Sequence, residues 1–203
     1  MPTRNRVKIY VPDVHYHIYN RGWNRSKIFQ DEEDYRYFES LLSRHLSTEK
    51  QKDSKCREYR WLRPTIRLKA YCLMPNHFHM LVYQTEESGI SQLMSSILTA
   101  YTMYFNKKYK RRGSLFESTY KAVLITEDLQ LMHITRYIHL NHAKFRTWPY
   151  SSYQDYLGTF RDWIDPASIL ELFSSKKQYE EFVDDYEELQ RERDSVKAEL
   201  ANS

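Results

Sequence analysis

Two histidines in this chain have the type and spacing that metal-assisted chemistry on a phosphate ester would need. His77 and His79 flank Phe78. Because successive side chains of a strand alternate between its faces, both imidazoles would lie on one face, with Phe78 in the core. Two such imidazoles can hold a divalent metal ion, although paired histidines often only form hydrogen bonds. A second pair, His15 and His17, alternates in the same way, and we interpret it as structural.

A tyrosine and an asparagine offer the other groups that such a reaction needs. Tyr137 and Asn141 are four residues apart in a segment predicted to be helical, so they lie one turn apart on the same face. A phenol and an amide oxygen could thus reach the same metal-bound phosphate. A phenol ionises only near a pKa of about 10, so a metal or a cation must assist it. Arg136 and Lys121 could do so, but they are equally consistent with ordinary surface cations.

The elements that must position these residues follow the order βαββαβα. Apolar residues alternate in the predicted strands and recur every three or four residues in the predicted helices. Two helices on one face of a four-stranded antiparallel sheet satisfy this order, as in the α+β ferredoxin-like arrangement, and leave the other sheet face free for a site. The strands are predicted over residues 14–19, 65–73, 77–84 and 120–125, the helices over 31–47, 91–109 and 128–140, and an exposed loop over 48–64.

The charge distribution divides the chain into a basic body and an acidic end. Residues 1–150 carry 25 Lys and Arg against 14 Asp and Glu, whereas residues 151–203 carry 6 against 13. A basic body with 18 Tyr, 9 Phe and 4 Trp suits a polyanion whose unpaired bases can stack. DNA, RNA and an acidic protein all remain open as partners on composition alone.

We predict a main domain over residues 1–158 and an acidic helical extension over 159–203. The extension would contain a short helix near 166–173 and a longer one over 177–201, whose first three turns carry an apolar stripe that packs on the body. The chain has no run of eighteen apolar residues and no apolar signal-peptide core in its first ten residues, so we expect a cytoplasmic protein without a membrane partner. Cys56 and Cys72 have no CxxC spacing and are expected to be reduced thiols.

Two clusters of basic residues are candidate phosphate contacts, since Lys and Arg neutralise the nucleic-acid backbone. A run of like charge is as often a solvated helix end. The predicted DNA-binding residues are Lys107, Lys108, Lys110, Arg111 and Arg112 in the first cluster, Arg21, Arg25 and Lys27 in the second, and Lys121.

Several motifs in a fixed order resemble those of the single-tyrosine transposases with a histidine–apolar–histidine (HUH) motif, particularly those associated with repetitive extragenic palindromes (REP). The similarity extends over about residues 14–158, which makes it far more specific than any one motif. The matching segments are YHIYNRG at 16–22, IF at 28–29, DY at 34–35, YCLMPNHFHMLV at 71–82, LF at 115–116, YKA at 120–122 and RYIHLN at 136–141.

The resemblance implies that His77, His79 and Asn141 hold Mg²⁺ or Mn²⁺ and that Tyr137 is the nucleophile. It also implies cleavage and rejoining of single-stranded hairpin DNA by a transposase, through a 5′-phosphotyrosine. Nitrogen ligands suit Mn²⁺ better than Mg²⁺, so we expect Mn²⁺ to support activity well.

The chain departs from the family pattern outside the predicted metal ligands. His142 stands where a proline is usual, and Glu117 and Thr119 stand where glutamine and arginine are common before Tyr120. The differences at Glu117 and Thr119 affect a phosphate or base contact expected near Thr119.

Two other functions stay open at this point. A ferredoxin-like sheet with exposed aromatic residues can bind single-stranded nucleic acid without catalysis. A small metal-dependent hydrolase would use water as the nucleophile, with Tyr137 only orienting the substrate. The DNA sequence recognised, the choice between monomer and homodimer, the choice between transposition and upkeep of repeats, and the role of the acidic extension stay open too.

Overall fold

The computed structural model of the protein describes residues 10–186. Across them, four strands form an antiparallel sheet in the order β2-β3-β1-β4, which is the ferredoxin-like arrangement that the sequence predicts. The strands are β1 (Val14–Arg21), β2 (Ile66–Met74), β3 (His77–Gln84) and β4 (Lys121–Ile125), and the helices are α1 (Glu32–Leu46), α2 (Gly89–Lys108), α3 (Asp128–His139), α4 (Tyr153–Leu157) and α5 (Ala167–Leu170).

The helices begin where local sequence signals place them. Asp31 caps α1: its side chain accepts from the backbone N–H of Asp34, and the Asp34 side chain accepts from that of Asp31, which satisfies donors that have no partner within the helix. α2 begins two residues before the predicted start, at Gly89. A Cβ there would lie 2.9 Å from the Ile66 side chain, so the close approach to β2 needs a glycine.

The first face of the sheet packs on α1 and α2, as predicted from the alternation of apolar residues. Phe78, Met80 and Val82 of β3 are fully buried on this face, which sends His77 and His79 to the opposite face. Tyr16 and Ile18 of β1 lie in the same core, so His17 shares the opposite face with the two histidines.

A β-bulge changes the second half of β2. The pairing with β3 shifts between Leu68 and Ala70, so Ala70 and Cys72 lie in the core on the second face. Ala70 is therefore buried on the face opposite to that of Ile66 and Leu68, because one extra residue reverses the alternation that follows it.

The second face is half covered, contrary to the expectation that it is free. Helix α3, helix α4 and the helical residues 176–186 pack there on β2 and β3. Tyr179 and Val183 are fully buried in this core, so the first turns of the predicted acidic helix pack on the body, and the rest of it lies outside the described residues. The part of this face beside β1 and β4 stays accessible.

Arg161 connects three elements through charged hydrogen bonds. Its guanidinium donates to Asp155 of α4, Glu39 of α1 and the Tyr71 hydroxyl of β2, and to the backbone oxygen of Ser151. Asp155 is almost fully buried, and a buried carboxylate without its partner is costly.

We expect Arg161→Ala to lower the free energy of unfolding by about 3 kcal/mol, since it leaves the Asp155 carboxylate buried without a cation. Urea denaturation followed by circular dichroism measures the change. The exposed pair between Lys177 and Glu181 provides the control: Lys177→Ala should cost less than about 1 kcal/mol. Equal losses in the two variants would contradict a structural role for the Arg161 network.

No helix within residues 10–186 is both long enough and apolar enough to cross a membrane.

Candidate active site

Strand pairing and α3 bring the predicted site residues together. In the register of β1 and β3, Tyr19 lies opposite His79 and Arg21 opposite His77. β1 also pairs with β4, where Lys121 lies opposite Tyr19. These side chains point to the second face of the sheet, where α3 crosses it.

The site is a cavity of about 380 Å³ between the sheet and α3. The ring of Tyr137 lies 5.3 Å from that of His79, centroid to centroid, and the His77 and His79 rings are 5.1 Å apart. Tyr137 is 46% exposed, so a large substrate can reach its hydroxyl. The cavity is lined by His17, Tyr19, Asn20, Arg21, His77, His79, Glu117, Ser118, Lys121, Val123 and Tyr137.

The contacts of His77 fit a cation between His77 and Asn141. Its Nδ1 lies 2.6 Å from Asn76 Oδ1 and its Nε2 lies 2.9 Å from Asn141 Oδ1. Both partners are amide oxygens, which only accept, and a neutral imidazole has a single N–H. If His77 donates its Nδ1–H to Asn76, the lone pairs of His77 Nε2 and Asn141 Oδ1 face each other. A 180° rotation of the Asn141 amide would remove this conflict, and so would a divalent ion between the two atoms, because adjacent ligands of an ion with bonds of about 2.1 Å are about 3 Å apart.

The donor set is unusual because it depends on an amide. Among residues 10–186, no group of three or more His, Cys, Asp or Glu side chains is arranged to hold a metal ion. A metal at this site would therefore need Asn141 beside His77 and His79, as the sequence predicts, and would keep positions open for phosphate and water.

Burial keeps the imidazoles of the cavity neutral at physiological pH. Desolvation lowers the pKa of His79 to about 3 and that of His17 to about 4. It also lowers the pKa of His77, although the contact with Asn141 acts in the other direction. A neutral imidazole has a lone pair available, which is the state that a metal ligand needs.

His17 belongs to the site, although its sequence pattern is interpreted above as structural. Its Nε2 lies 2.9 Å from Nδ1 of His79, and it lines the cavity. If His79 coordinates a metal ion through Nε2, its proton is on Nδ1. His17 Nε2 would then accept a hydrogen bond from this N–H and orient the His79 ring. No local signal separates His17 from His15, because only the pairing of β1 with β3 decides which of them meets His79.

Asn76 is a second residue that motif reasoning leaves without a role. It lies in the turn between β2 and β3, where its Oδ1 contacts Nδ1 of His77 and its Nδ2 donates to the backbone oxygen of Arg25. Asn76 therefore positions the His77 ring and ties it to the basic segment that follows β1.

We expect Asn76→Ala to weaken the binding of Mn²⁺ by about 10- to 100-fold, as losing a hydrogen bond behind a metal ligand typically does. Isothermal titration of the free protein with Mn²⁺ measures the change. Asn76→Asp keeps an acceptor for the Nδ1–H of His77 and should restore the affinity. Equal weakening in both variants would show that Asn76 serves only the turn.

The predicted basic residues divide into three groups. Arg21 and Lys121 line the cavity. Arg25 and Lys27 are exposed in the segment after β1, which Asn76 holds against the site. The remaining group, at the end of α2, has exposed side chains at Lys107, Lys110 and Arg112 and a half-buried one at Arg111.

Lys108 differs from the rest of its cluster. Its ammonium contacts the carboxylates of Asp31, Glu33 and Asp34 at 2.7 to 2.9 Å. These carboxylates already balance its charge and fasten α2 to α1, so Lys108 has a structural role that the sequence prediction of a phosphate contact does not include.

Arg136 and His142 also have structural partners. The Arg136 guanidinium lies 3.9 Å from the ring centroid of Phe182 and 4.4 Å from that of Tyr186, so Lys121 is the candidate for assisting Tyr137. The His142 ring stacks on Trp148 at 3.8 Å, which accounts for a histidine where the resemblance leads one to expect proline.

Fold and site together define an α+β protein whose antiparallel sheet holds a histidine pair against a helix tyrosine. The chain belongs to the IS200-like transposase family, whose model matches residues 10–141. Transposases cut DNA during transposition, so the protein is an enzyme of that class.

One solved structure agrees with this fold. The structure of the REP-associated tyrosine transposase bound to a REP hairpin has a TM-score of 0.52 and 12% identity, over 79% of this chain and 91% of that one. A protein from Deinococcus radiodurans R1 has a TM-score of 0.40 and 17% identity, over 68% of this chain and 98% of that one. The second similarity is too low to support an argument. No curated protein sequence matches the chain significantly.

Proposed function

We propose that the protein cleaves and rejoins single-stranded DNA at hairpin-bearing ends, with Tyr137 as the nucleophile and Mg²⁺ or Mn²⁺ held by His77, His79 and Asn141. One observation carries the proposal: a half-exposed phenol and two neutral imidazoles line one cavity of a transposase-family fold, and the amide oxygen of Asn141 lies 2.9 Å from one of those imidazoles. A bound divalent ion supplies Lewis-acid stabilisation of the phosphate oxygens that gain charge.

The proposed reaction conserves the energy of the broken bond. The Tyr137 oxygen attacks the phosphorus, the bond from phosphorus to the 3′-oxygen breaks, the phenol proton leaves to solvent or a base, and the 3′-oxygen gains a proton. The products are a 5′-phosphotyrosine and a free 3′-hydroxyl. A 3′-hydroxyl can attack the phosphotyrosine in reverse, so the strand can be rejoined without ATP.

The chain's own side chains would prepare the phosphate for attack. Lys121 and Arg21 line the cavity and place positive charge where phosphate oxygens would lie. The Lys121 ammonium lies 5.6 Å from the ring centroid of Tyr19, beside the histidines. His17 and Asn76 fix the two imidazole rings, so no reorganisation of the rings is needed when DNA enters.

Hairpin DNA is the proposed partner because the similar solved fold is bound to a REP hairpin. The exposed cations of this chain support the same partner. Arg25 and Lys27 lie on the segment tied to Asn76, so a duplex stem held there would direct its single-stranded flank toward the cavity.

A labelled hairpin with a single-stranded flank tests the proposal. With Mn²⁺, a 3′-end label should migrate with the protein on a denaturing gel, since the 5′-phosphate is the end that becomes attached. A 5′-end label should appear in a free fragment that a polymerase can extend. Cleavage without an adduct would instead indicate a hydrolase, and hairpin binding without cleavage would indicate a binding module.

A further inference from the structure

A second cavity, which we call the Tyr137 groove, lies on the other side of Tyr137. It has a volume of about 580 Å³ and shares Val123 and Tyr137 with the histidine cavity. The Tyr137 ring thus stands between the two cavities. The groove is lined by Val123, Leu124, Ile125, Gln130, His133, Ile134, Arg136, Tyr137 and Tyr186.

The groove combines apolar walls with a few hydrogen-bonding groups at its rim. Val123, on β4, and Ile134, on α3, face a space bounded at one end by the Tyr137 ring. Gln130 is exposed and offers both a donor and an acceptor. The outer edge of β4 is unpaired within residues 10–186, so its backbone N–H and C=O groups border the same space.

His133 presents a donor of defined position. Arg136 can only donate, and its Nη2 lies 2.7 Å from Nδ1 of His133, so Nδ1 accepts and the imidazole proton is on Nε2. The His133 N–H and the Gln130 amide match the hydrogen-bonding edge of a nucleic-acid base. The apolar walls match its face.

We propose that the Tyr137 groove binds the base of a nucleotide that adjoins the phosphate attacked by Tyr137. The inference rests on the proposed function, because it takes the strand through the histidine cavity. A strand whose phosphate meets Tyr137 must continue to either side. On the side of β2 and β3 the packed core blocks it, with Ile138 and Tyr179 buried there, whereas the side of β4 opens into the groove.

Base removal and groove filling test this assignment in the full-length protein. One substrate carries an abasic residue at the nucleotide adjoining the cleavage site, and an otherwise identical substrate is intact. We expect the wild type to cleave the abasic strand about 10-fold more slowly, the order expected from one stacked base. Ile134→Trp, which fills the groove, should cleave the intact strand about 10-fold more slowly than the wild type and should not discriminate between the two strands.

The matched control is Leu129→Trp. Leu129 lies on the same helix, is 61% exposed and is not among the residues that line the groove, so this variant should behave as the wild type does. Gln130→Ala should change the base preferred at the adjoining nucleotide and leave the Mn²⁺ requirement unchanged. The proposal would be overturned if the wild type cleaved three substrates at equal rates: the intact strand and the two strands with an abasic residue at one or the other nucleotide adjoining the cleavage site.

Two further measurements separate this inference from the proposed function and from dimerisation. Tyr137→Phe keeps the ring that forms the groove wall, so its affinity for intact and abasic strands reports base binding even if no cleavage occurs. Robust cleavage with no response to base removal would leave the proposed function standing and reject the groove. A dimer on light scattering that Ile134→Trp dissociates would assign the groove to a second copy of the chain, and would also reject it.

Discussion

Tyr137→Phe should abolish the covalent protein–DNA adduct and lower the cleavage rate by about 10³-fold or more, the size of effect expected when a nucleophile is removed. The substitution deletes the attacking oxygen and keeps the ring, so the contacts of the ring with His79 and His17 are preserved. Hairpin affinity should therefore stay within a few-fold of the wild type. A denaturing gel with 3′-end-labelled DNA measures the adduct, and a native gel measures binding.

Tyr19 is the control for this experiment because it is a second phenol in the same cavity. Tyr19 lies on β1, and its ring stacks against the rings of His17 and His79. Tyr19→Phe should leave the adduct intact. An adduct that survives Tyr137→Phe and disappears in Tyr19→Phe would assign the nucleophile to the sheet rather than to α3.

His77→Ala should reduce the affinity for Mn²⁺ by at least about 100-fold, since losing a ligand costs no less than losing a hydrogen bond behind it. The structural reason is that Nε2 of His77 lies 2.9 Å from Oδ1 of Asn141, the other proposed ligand. Cleavage rates of this variant, measured over the range of Mn²⁺ concentrations that saturates the wild type, should not reach a plateau. Hairpin binding without metal should be unchanged, because the cations proposed to contact phosphate are other residues.

His15 provides a matched histidine for this test. It lies on the same face of β1 as His17, outside the residues that line the cavity, and desolvation lowers its pKa to about 4. His15→Ala should keep the wild-type response to Mn²⁺. An unchanged response in His77→Ala would reject His77 as a ligand, and a loss in both variants would point to damage of the sheet.

Local patterns predict much of this protein because their physical causes are local. Period-two alternation places Phe78 in the core and the two histidines opposite it, and the structure confirms that alternation. The capping signal at Asp31 and the apolar stripes place α1 to α3 within about two residues of their observed ends. The ordered motifs point to a family that the match over residues 10–141 confirms.

Other features depend on interactions that cross the chain. The bulge after Leu68 reverses a face in the middle of a regular alternation, and no residue type in β2 marks it. Lys108 belongs to a basic run, yet three carboxylates of the α1 segment neutralise it. The apolar stripe after residue 177 is predicted to pack on the body, but the part of the body that it covers, one half of the second sheet face, depends on the tertiary structure.

The sequence alone is sufficient for the element order, the family and the histidines, tyrosine and asparagine that we assign to the chemistry, because spacing and residue type carry that information. Only the folded chain decides which histidine supports His79, since His17 meets it through a strand pairing 62 residues away. The folded chain also decides the path that we propose for the DNA strand. That path depends on which half of the sheet the C-terminal residues bury, and burial is a property of packing between distant segments rather than of any local pattern.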